Sequence, residues 1–206
     1  MKERESTVND PTFWDVLYRN GETGWDIGTP TPAFADLRAR GIIAPGKTLV
    51  LGCGKGHDAL LFAGKGFEVT AIDFSRQALA LARSTSIEQG VSITFLERDM
   101  FTLSPEFDHT FDVVVEYVTY CAIDPGRRKE FASMIEKVLR PEGLLIALFF
   151  PLEERTDGPP FGIDWNEVME VFGEIFSLEM SESPVNSISP RKGREKMSVW
   201  RKHQNP

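Results

Sequence analysis

The sequence predicts an α/β fold: a Rossmann-like, mostly parallel sheet with helices on both faces, closed by an antiparallel C-terminal strand pair. Three observations predict it. Strand and helix signals alternate from Lys47 onward, the first strand runs straight into a glycine-rich turn (Gly52-Cys53-Gly54-Lys55-Gly56), and Leu144 to Phe150 is an all-apolar run. Alternation calls for a parallel sheet flanked by helices, and an unbroken apolar run calls for a central strand covered on both faces.

The elements follow in order. Residues 1–46 stand outside the alternation and are dense in rings and turn residues: Phe13, Trp14, Tyr18, Trp25 and Phe34 among Gly21, Gly24, Gly28, Pro30 and Pro32. Such a segment cannot be a sheet strand, carries too many rings for a solvated tail, and is expected to fold as a lid. Lys47 to Leu51 reads as strand one, and Gly56 to Ala63 as a helix stopped by Gly64 and Gly66. Phe67 to Ile72 is strand two, and Ser75 caps a helix to about Ile87. Ser92 to Leu96 and Phe111 to Glu116 are strands three and four. Phe131, Met134, Ile135, Val138 and Leu139 repeat at helical spacing, and Pro141-Glu142-Gly143 is expected to turn that helix into strand five. Pro151 to Gly162, rich in Pro, Gly and charge, reads as a loop over the carboxyl edge of the sheet. Trp165 to Phe172 is helical, and Phe176 to Met180 and Met197 to Trp200 alternate like two edge strands joined by a long loop.

A single domain of 206 residues is implied, with residues 1–46 as lid, 47–150 as ligand-binding core and 151–206 as acceptor loop and terminal strand pair. The net charge of −8 opposes binding to a nucleic-acid backbone. The basic run Arg191-Lys192-Gly193-Arg194-Glu195-Lys196 is read as a solvated hairpin loop. Cys53 and Cys121 form no disulfide framework. The charged start Met1-Lys2-Glu3-Arg4-Glu5 lacks an apolar leader, and no apolar run spans a bilayer, so a soluble cytoplasmic protein without membrane partners is expected.

The chemistry begins at the glycine turn. Small residues let backbone N–H groups approach a ligand, the helix start favours polar or negative groups, and Asp73, 17 residues after Gly56, can accept hydrogen bonds from ribose hydroxyls. A nucleoside cofactor is implied. A dinucleotide fingerprint would place its third glycine at position 57, which is His57 here. The G-x-G-x-G spacing with a downstream acid instead looks like the S-adenosylmethionine turn of class I methyltransferases. A lone histidine there makes no metal site, and no metal is expected.

Several further motifs share one resemblance. F-W-D-V-L-Y-R-N-G-E-T-G-W-D-I-G-T-P-T-P (13–32), G-C-G-K-G-H-D (52–58), Asp73, Asp99-Met100, E-Y-V-T-Y-C-A-I-D-P (116–125), G-P-P-F (158–161) and P-R-K-G-R-E-K (190–196) span nearly the whole chain. Together they resemble the thiopurine S-methyltransferase-like family, and within it the halide/thiol methyltransferases. The resemblance implies a class I seven-stranded fold and S-adenosylmethionine as cofactor, converted to S-adenosylhomocysteine. It further implies that Trp14, Tyr18 and Trp25 enclose the sulfonium end, with Gly52, Gly54 and Asp73 at the turn and ribose and Asp99 and Met100 at the adenine. Aromatic faces suit a sulfonium because they attract a cation without competing as nucleophiles. Tyr18 stands where the family carries tryptophan.

Asp99 taken alone also reads as a loop cap, and Asp58 either reaches the cofactor or steadies a helix start. The resemblance places Tyr117 against the acceptor as the candidate catalytic residue, orienting it and relaying a thiol proton, where thiopurine methyltransferases carry arginine, and makes Phe161 an apolar wall of the acceptor pocket. The expected activity is methyl transfer to small soft nucleophiles: thiols, hydrosulfide and halide ions. Three alternatives remain open: a thiopurine-type enzyme for larger aromatic thiols or selenium and tellurium compounds, a nucleotide-dependent oxidoreductase, and a silent cofactor-binding regulatory module. Oligomeric state is not legible.

Overall fold

Three of the four residues of β1 (Lys47–Val50) are buried. It carries β2 (Glu68–Asp73) on one side and β4 (Phe111–Tyr117) on the other, both parallel to it. The computed structural model describes residues 7–64, 66–155 and 157–204, so the charged start read above for the absence of a leader lies outside them. β3 (Thr94–Glu97) lies parallel outside β2, and β5 (Leu139–Phe149) parallel outside β4. Two antiparallel strands finish the sheet, β7 (Lys196–Lys202) against β5 and β6 (Phe176–Glu182) against β7, which gives the order β3-β2-β1-β4-β5-β7-β6.

The expected pair of edge strands is therefore corrected in one respect. β6 is an edge, but β7 is hydrogen-bonded on both sides, and Met197, Val199 and Trp200 are buried accordingly. Strand five also differs. Pro141-Glu142-Gly143 does not end one element and start another: β5 begins at Leu139 and runs through these residues, with a register shift opposite Phe111/Val113 and Glu142 at φ 63°. The irregularity absorbs a proline that regular pairing would exclude.

Helices cover both faces. On one, α5 (Arg128–Val138) buries Phe131, Met134, Ile135 and Val138, at the helical spacing read in the sequence, and α6 (Trp165–Gly173) adds Val168 and Phe172. This half of the core also holds Tyr120, Phe149 and Trp200. On the other, α3 (His57–Ala63) contributes Ala59 and Phe62. α4 (Arg76–Glu88) starts at Ser75, whose Oγ accepts from the Ala78 N–H at 3.2 Å. No helix among the described residues is long and apolar enough to cross a membrane.

The N-terminal segment divides into two helices with different duties. α1 (Pro11–Asn20) has a proline in its first turn, an Asp10 cap accepting from Thr12 N–H, and a left-handed Gly21 that ends it. Its residues are half-buried or exposed. α2 (Pro32–Ala39) instead buries Ala33, Phe34 and Leu37 in the core, so Phe34 is a core residue rather than part of a cover.

Candidate active site

The carboxyl ends of β1, β2, β3 and β4 bring the glycine turn, Asp73, Asp99 and Tyr117 to one edge of the sheet, where open α/β sheets bind ligands. Gly52 adopts φ +49°, and a Cβ there would lie 2.5 Å from Thr119 Oγ1, so only glycine fits. Gly54 N–H donates to Asp73 Oδ2 at 2.9 Å, and Ser75 N–H to Oδ1 at 2.8 Å, so the turn and the start of α4 both orient this carboxylate. Burial pushes the Asp73 carboxyl up to about 6, aided by the nearby Asp15 charge and resisted by the donating N–H groups.

Asp15 carries no sequence signal of a site residue. Its Oδ1 accepts from Ser75 Oγ at 2.6 Å and Gln77 N–H at 3.2 Å, docking α1 onto the start of α4, where a negative charge complements the helix dipole. The Asp sits among charged and aromatic neighbours with no spacing signal of its own.

Trp14, Tyr18, Trp25, Gly52, Asp73, Asp99 and Met100 all line one cavity of about 510 Å3. Trp14 and Tyr18 each meet Trp25 edge to face, with centroids 5.4 and 5.6 Å apart, and Trp25 Nε1 donates to Tyr18 Oη at 3.3 Å. Burial raises the Tyr18 phenol above its ordinary range, and the Asp73 charge adds to the effect. Asp99 Oδ1 accepts from Phe101 N–H at 3.0 Å and caps a short turn, so the loop-cap reading holds for that oxygen while the residue also lines the cavity. Gly54 lines a smaller adjoining space of about 80 Å3, together with Tyr117.

Ionic and hydrogen-bonded ties hold the N-terminal segment in place. Asp26 Oδ2 lies 2.6 Å from Lys55 Nζ, so the lysine of the glycine turn clasps the segment, and Asp26 Oδ1 lies 3.3 Å from His57 Nε2 at the start of α3. Burial would raise the Asp26 carboxyl, but Lys55 and the Gly28 N–H outweigh it and hold the carboxyl low. Asp58 accepts from Thr31 N–H at 2.7 Å and Thr31 Oγ1 at 2.8 Å, tying the start of α2 to the start of α3.

At the end of β4, Glu116 Oε1 accepts from Thr119 and Tyr120 N–H groups at 3.0 and 2.8 Å, whereas the buried Oε2 has no partner. Burial pushes this carboxyl up to about 7. Tyr117 Oη donates to Glu195 Oε1 at 2.6 Å and accepts from Arg191 Nη1, and Arg191 Nη2 donates to the Trp25 carbonyl. Burial and the bond to Glu195 raise the Tyr117 phenol well above its ordinary range. The solvated loop expected of residues 191–196 is thereby corrected: Arg191 and Glu195 are buried and belong to the site, with Lys192 and Gly193 left outside. Their signal was present in P-R-K-G-R-E-K, but a charge run is solvated more often than not.

Phe161 does not line the larger cavity; Pro159 and Pro160 of the same loop do, beside Phe150. Phe161 N–H donates to the Cys121 carbonyl at 2.7 Å, which anchors that loop to the segment after β4.

Comparison with known proteins fits this geometry. A family model described as thiopurine S-methyltransferase matches residues 9–205. The chain belongs to the thiopurine S-methyltransferase family. It is 35% identical over 205 residues to a probable thiol methyltransferase 2 of Arabidopsis thaliana, covering 97% of this chain and 88% of that one. It is 34% identical over 192 residues to thiocyanate methyltransferase 1 of the same plant, covering 92% and 84%. Among solved structures, a 1,6-didemethyltoxoflavin-N1-methyltransferase of Burkholderia thailandensis superposes with a TM-score of 0.73 at 21% identity, over 94% of this chain and 87% of that one, and shares its fold.

This member of the family is an S-adenosylmethionine-dependent methyltransferase of the class I fold. The residues present fit that cofactor. Asp73 would present an oriented acceptor to a ribose, Asp99 and Met100 a polar and an apolar contact to an adenine, and Trp14, Tyr18 and Trp25 a ring cluster to a cation. The described residues hold no group of three or more His, Cys, Asp or Glu side chains placed to bind a metal ion.

Proposed function

We propose that this enzyme methylates small soft nucleophiles, with thiols and hydrosulfide as its main acceptors and iodide and bromide within its range. The observation that carries the reading is the single cavity itself, which joins the ring cluster Trp14, Tyr18 and Trp25 to a wall of Phe150, Pro159, Pro160 and Arg191. The Arabidopsis relatives are named for thiol and thiocyanate, both soft sulfur nucleophiles, which supports the same class of acceptor.

Bound S-adenosylmethionine supplies an electrophilic methyl group on a positively charged sulfur. The chain's own residues do the rest. The aromatic rings of the N-terminal segment attract the cation and exclude water, and dehydration of a thiolate or halide raises its nucleophilicity. Fixing both reactants in one cavity removes much of the entropic barrier to an in-line displacement. Tyr117 is not a base at neutral pH, because burial keeps its phenol protonated and its O–H donates to Glu195. None is needed: with a thiol pKa near ~8.5, a few per cent of a free thiol is already thiolate. Tyr117 orients the acceptor region through its bonds to Arg191 and Glu195, and Phe161 positions the Pro159-Pro160 wall.

In this reading residues 7–31 cover the cofactor, the core to residue 150 binds it, and the remainder forms the acceptor wall. The free cysteines Cys53 and Cys121 suit a reducing cytoplasm.

The test is S-adenosylhomocysteine formation by purified protein across hydrosulfide, thiophenol, a thiopurine, iodide, bromide and chloride. Turnover concentrated on hydrosulfide, thiophenol or iodide supports the proposal. Turnover on the thiopurine alone moves the enzyme to the larger-acceptor subclass, and saturable cofactor binding without any turnover refutes the acceptor assignment.

A further inference from the structure

Glu116 is a carboxylate that the fold would be more stable without. It is 1% exposed near the end of β4, where Oε1 takes both of its hydrogen bonds and Oε2 is buried without a partner. Burial pushes the carboxyl up to about 7 against the pull of the two N–H groups, so a buried charge with half its acceptor capacity unused forms near neutral pH. Leu51 after β1 and Ala147 of β5 flank it in the sheet. Of its titratable neighbours, Tyr120 and Cys121 are held protonated by burial, and Arg128 of α5 lies over the Tyr120 ring, paired with Glu167 of α6 at 2.6 Å. An amide in this place would accept the same two bonds without burying a charge. Stability therefore does not account for the acid.

The two bonds end on a turn with a strained start. Val118, a β-branched residue, sits at φ 53°, in the left-handed region that such side chains rarely occupy, and the Thr119 and Tyr120 N–H groups bound to Glu116 follow it directly. Val118, Thr119, Cys121, Ala122 and Ile123 form one wall of the larger cavity. That wall reaches the sides of both reactants. Thr119 Oγ1 donates to the Leu51 carbonyl at 3.2 Å and packs against Gly52, while the Cys121 carbonyl accepts from Phe161 N–H at 2.7 Å and anchors the loop carrying Pro159 and Pro160.

We propose that Glu116 is a positioning residue for methyl transfer: its carboxylate holds the strained turn of residues 118–123 and thereby sets the spacing between the glycine turn and the acceptor wall. The proposal rests on the methyl-transfer reading and deepens it. Hydrogen bonds to an ionised carboxylate are about twice as strong as those to a neutral acceptor, so the ionised form holds the turn and the protonated form lets it relax. Methyl transfer responds to such relaxation, because a misplacement of about 1 Å between reacting groups costs on the order of a hundredfold in rate. The activity contributed through Glu116 is therefore present above about 7 and is lost as pH falls through that value, the reverse of its effect on stability.

The experiment measures the single-turnover rate of methyl transfer to hydrosulfide, at saturating cofactor and acceptor, from about pH 5.5 to 8.5 for the unaltered enzyme and Glu116→Gln. The ratio of the two rates at each pH cancels the acceptor's own titration. It is expected to be near one below about pH 6 and to rise to about tenfold by pH 8, with cofactor Kd changed less than about threefold and the Tm of the variant no lower. A carboxyl with a merely structural role would shift Tm and leave the ratio independent of pH. A ratio that stays constant, or a variant as fast as the unaltered enzyme at pH 8, would overturn the proposal. If the unaltered enzyme turns over no acceptor, the methyl-transfer reading fails separately, and the turn is then read directly, as it is should Glu116→Gln not fold. In the complex with sinefungin, a stable analogue of the cofactor, the backbone amide resonances of Gly52 and Phe161 are followed against pH. Movement of both with one midpoint near 7 supports the coupling, and movement of neither, or with separate midpoints, refutes it.

Discussion

Replacing Tyr117 with phenylalanine removes one oxygen and two bonds to ionised partners. Arg191 Nη1 loses its acceptor and Glu195 Oε1 its donor, in residues only 4% and 3% exposed. Hydrogen bonds to charged groups contribute about 1.5–3 kcal/mol each. The ring contacts with Phe34 and Arg191 survive, and the two freed charged groups can close part of the gap between them. A net loss of about 2–3 kcal/mol is expected, below the sum of the two bonds, because buried partners left behind relax toward each other. In a domain of this size that corresponds to a Tm lower by about 4–12 °C. Thermal melts and urea titrations, with and without sinefungin, measure it. Acceptor KM should rise more than cofactor Kd, because Tyr117 orders Arg191 while the ring cluster holds the cofactor. A Tm within about 2 °C of the unaltered enzyme, with urea slope unchanged, would refute the view that the Arg191–Tyr117–Glu195 chain is energetically significant.

Glu116→Gln tests the carboxyl that burial raises from 4.5 to about 7. The folded state holds this proton more tightly than the unfolded chain, so its contribution is complete below 4.5 and is lost as pH rises through about 7. The variant copies the protonated form: it should match the unaltered protein at acid pH and exceed it by up to ~3 kcal/mol at pH 8, read by urea denaturation at both pH values. Asp73→Asn replaces one acceptor oxygen with a donor facing an N–H, a mismatch of about 1–3 kcal/mol that should weaken cofactor binding roughly ten- to a hundredfold by calorimetry. In the unaltered protein, sinefungin affinity should fall as pH drops below about 6, where Asp73 takes up its proton; a flat profile from pH 5 to 8 would exclude an ionised Asp73 at the ribose. Gly54→Ala places a methyl group 2.9 Å from Tyr18 Oη at φ +52°, which should displace that ring and weaken cofactor binding several-fold while Tm falls by only a few degrees.

The alternation of apolar strands and amphipathic helices is a local signal, which is why β1 to β5, α4 and α5 were legible within a residue or two, apart from the strand that starts at Leu139 instead of Leu144. Glycine and carboxylate spacing is local too, and Gly52, Asp73 and Asp99, legible by that spacing, line one cavity. The family followed from separate motifs in one order along the chain.

Pairing across long sequence distances left no local trace. Nothing within residues 196–202 tells an inner antiparallel strand from an edge, since that depends on β5 and β6 lying on either side. Asp15 meets Ser75 across 60 positions, and Arg191 meets Trp25 across 166. The sequence by itself determined the architecture, the cofactor class and the family, because these rest on periodicity and short motifs. The tertiary structure alone decided that a charge run at 191–196 is part of the site, because Arg191 and Glu195 are buried and meet at a tyrosine hydroxyl 74 and 78 positions away in the sequence.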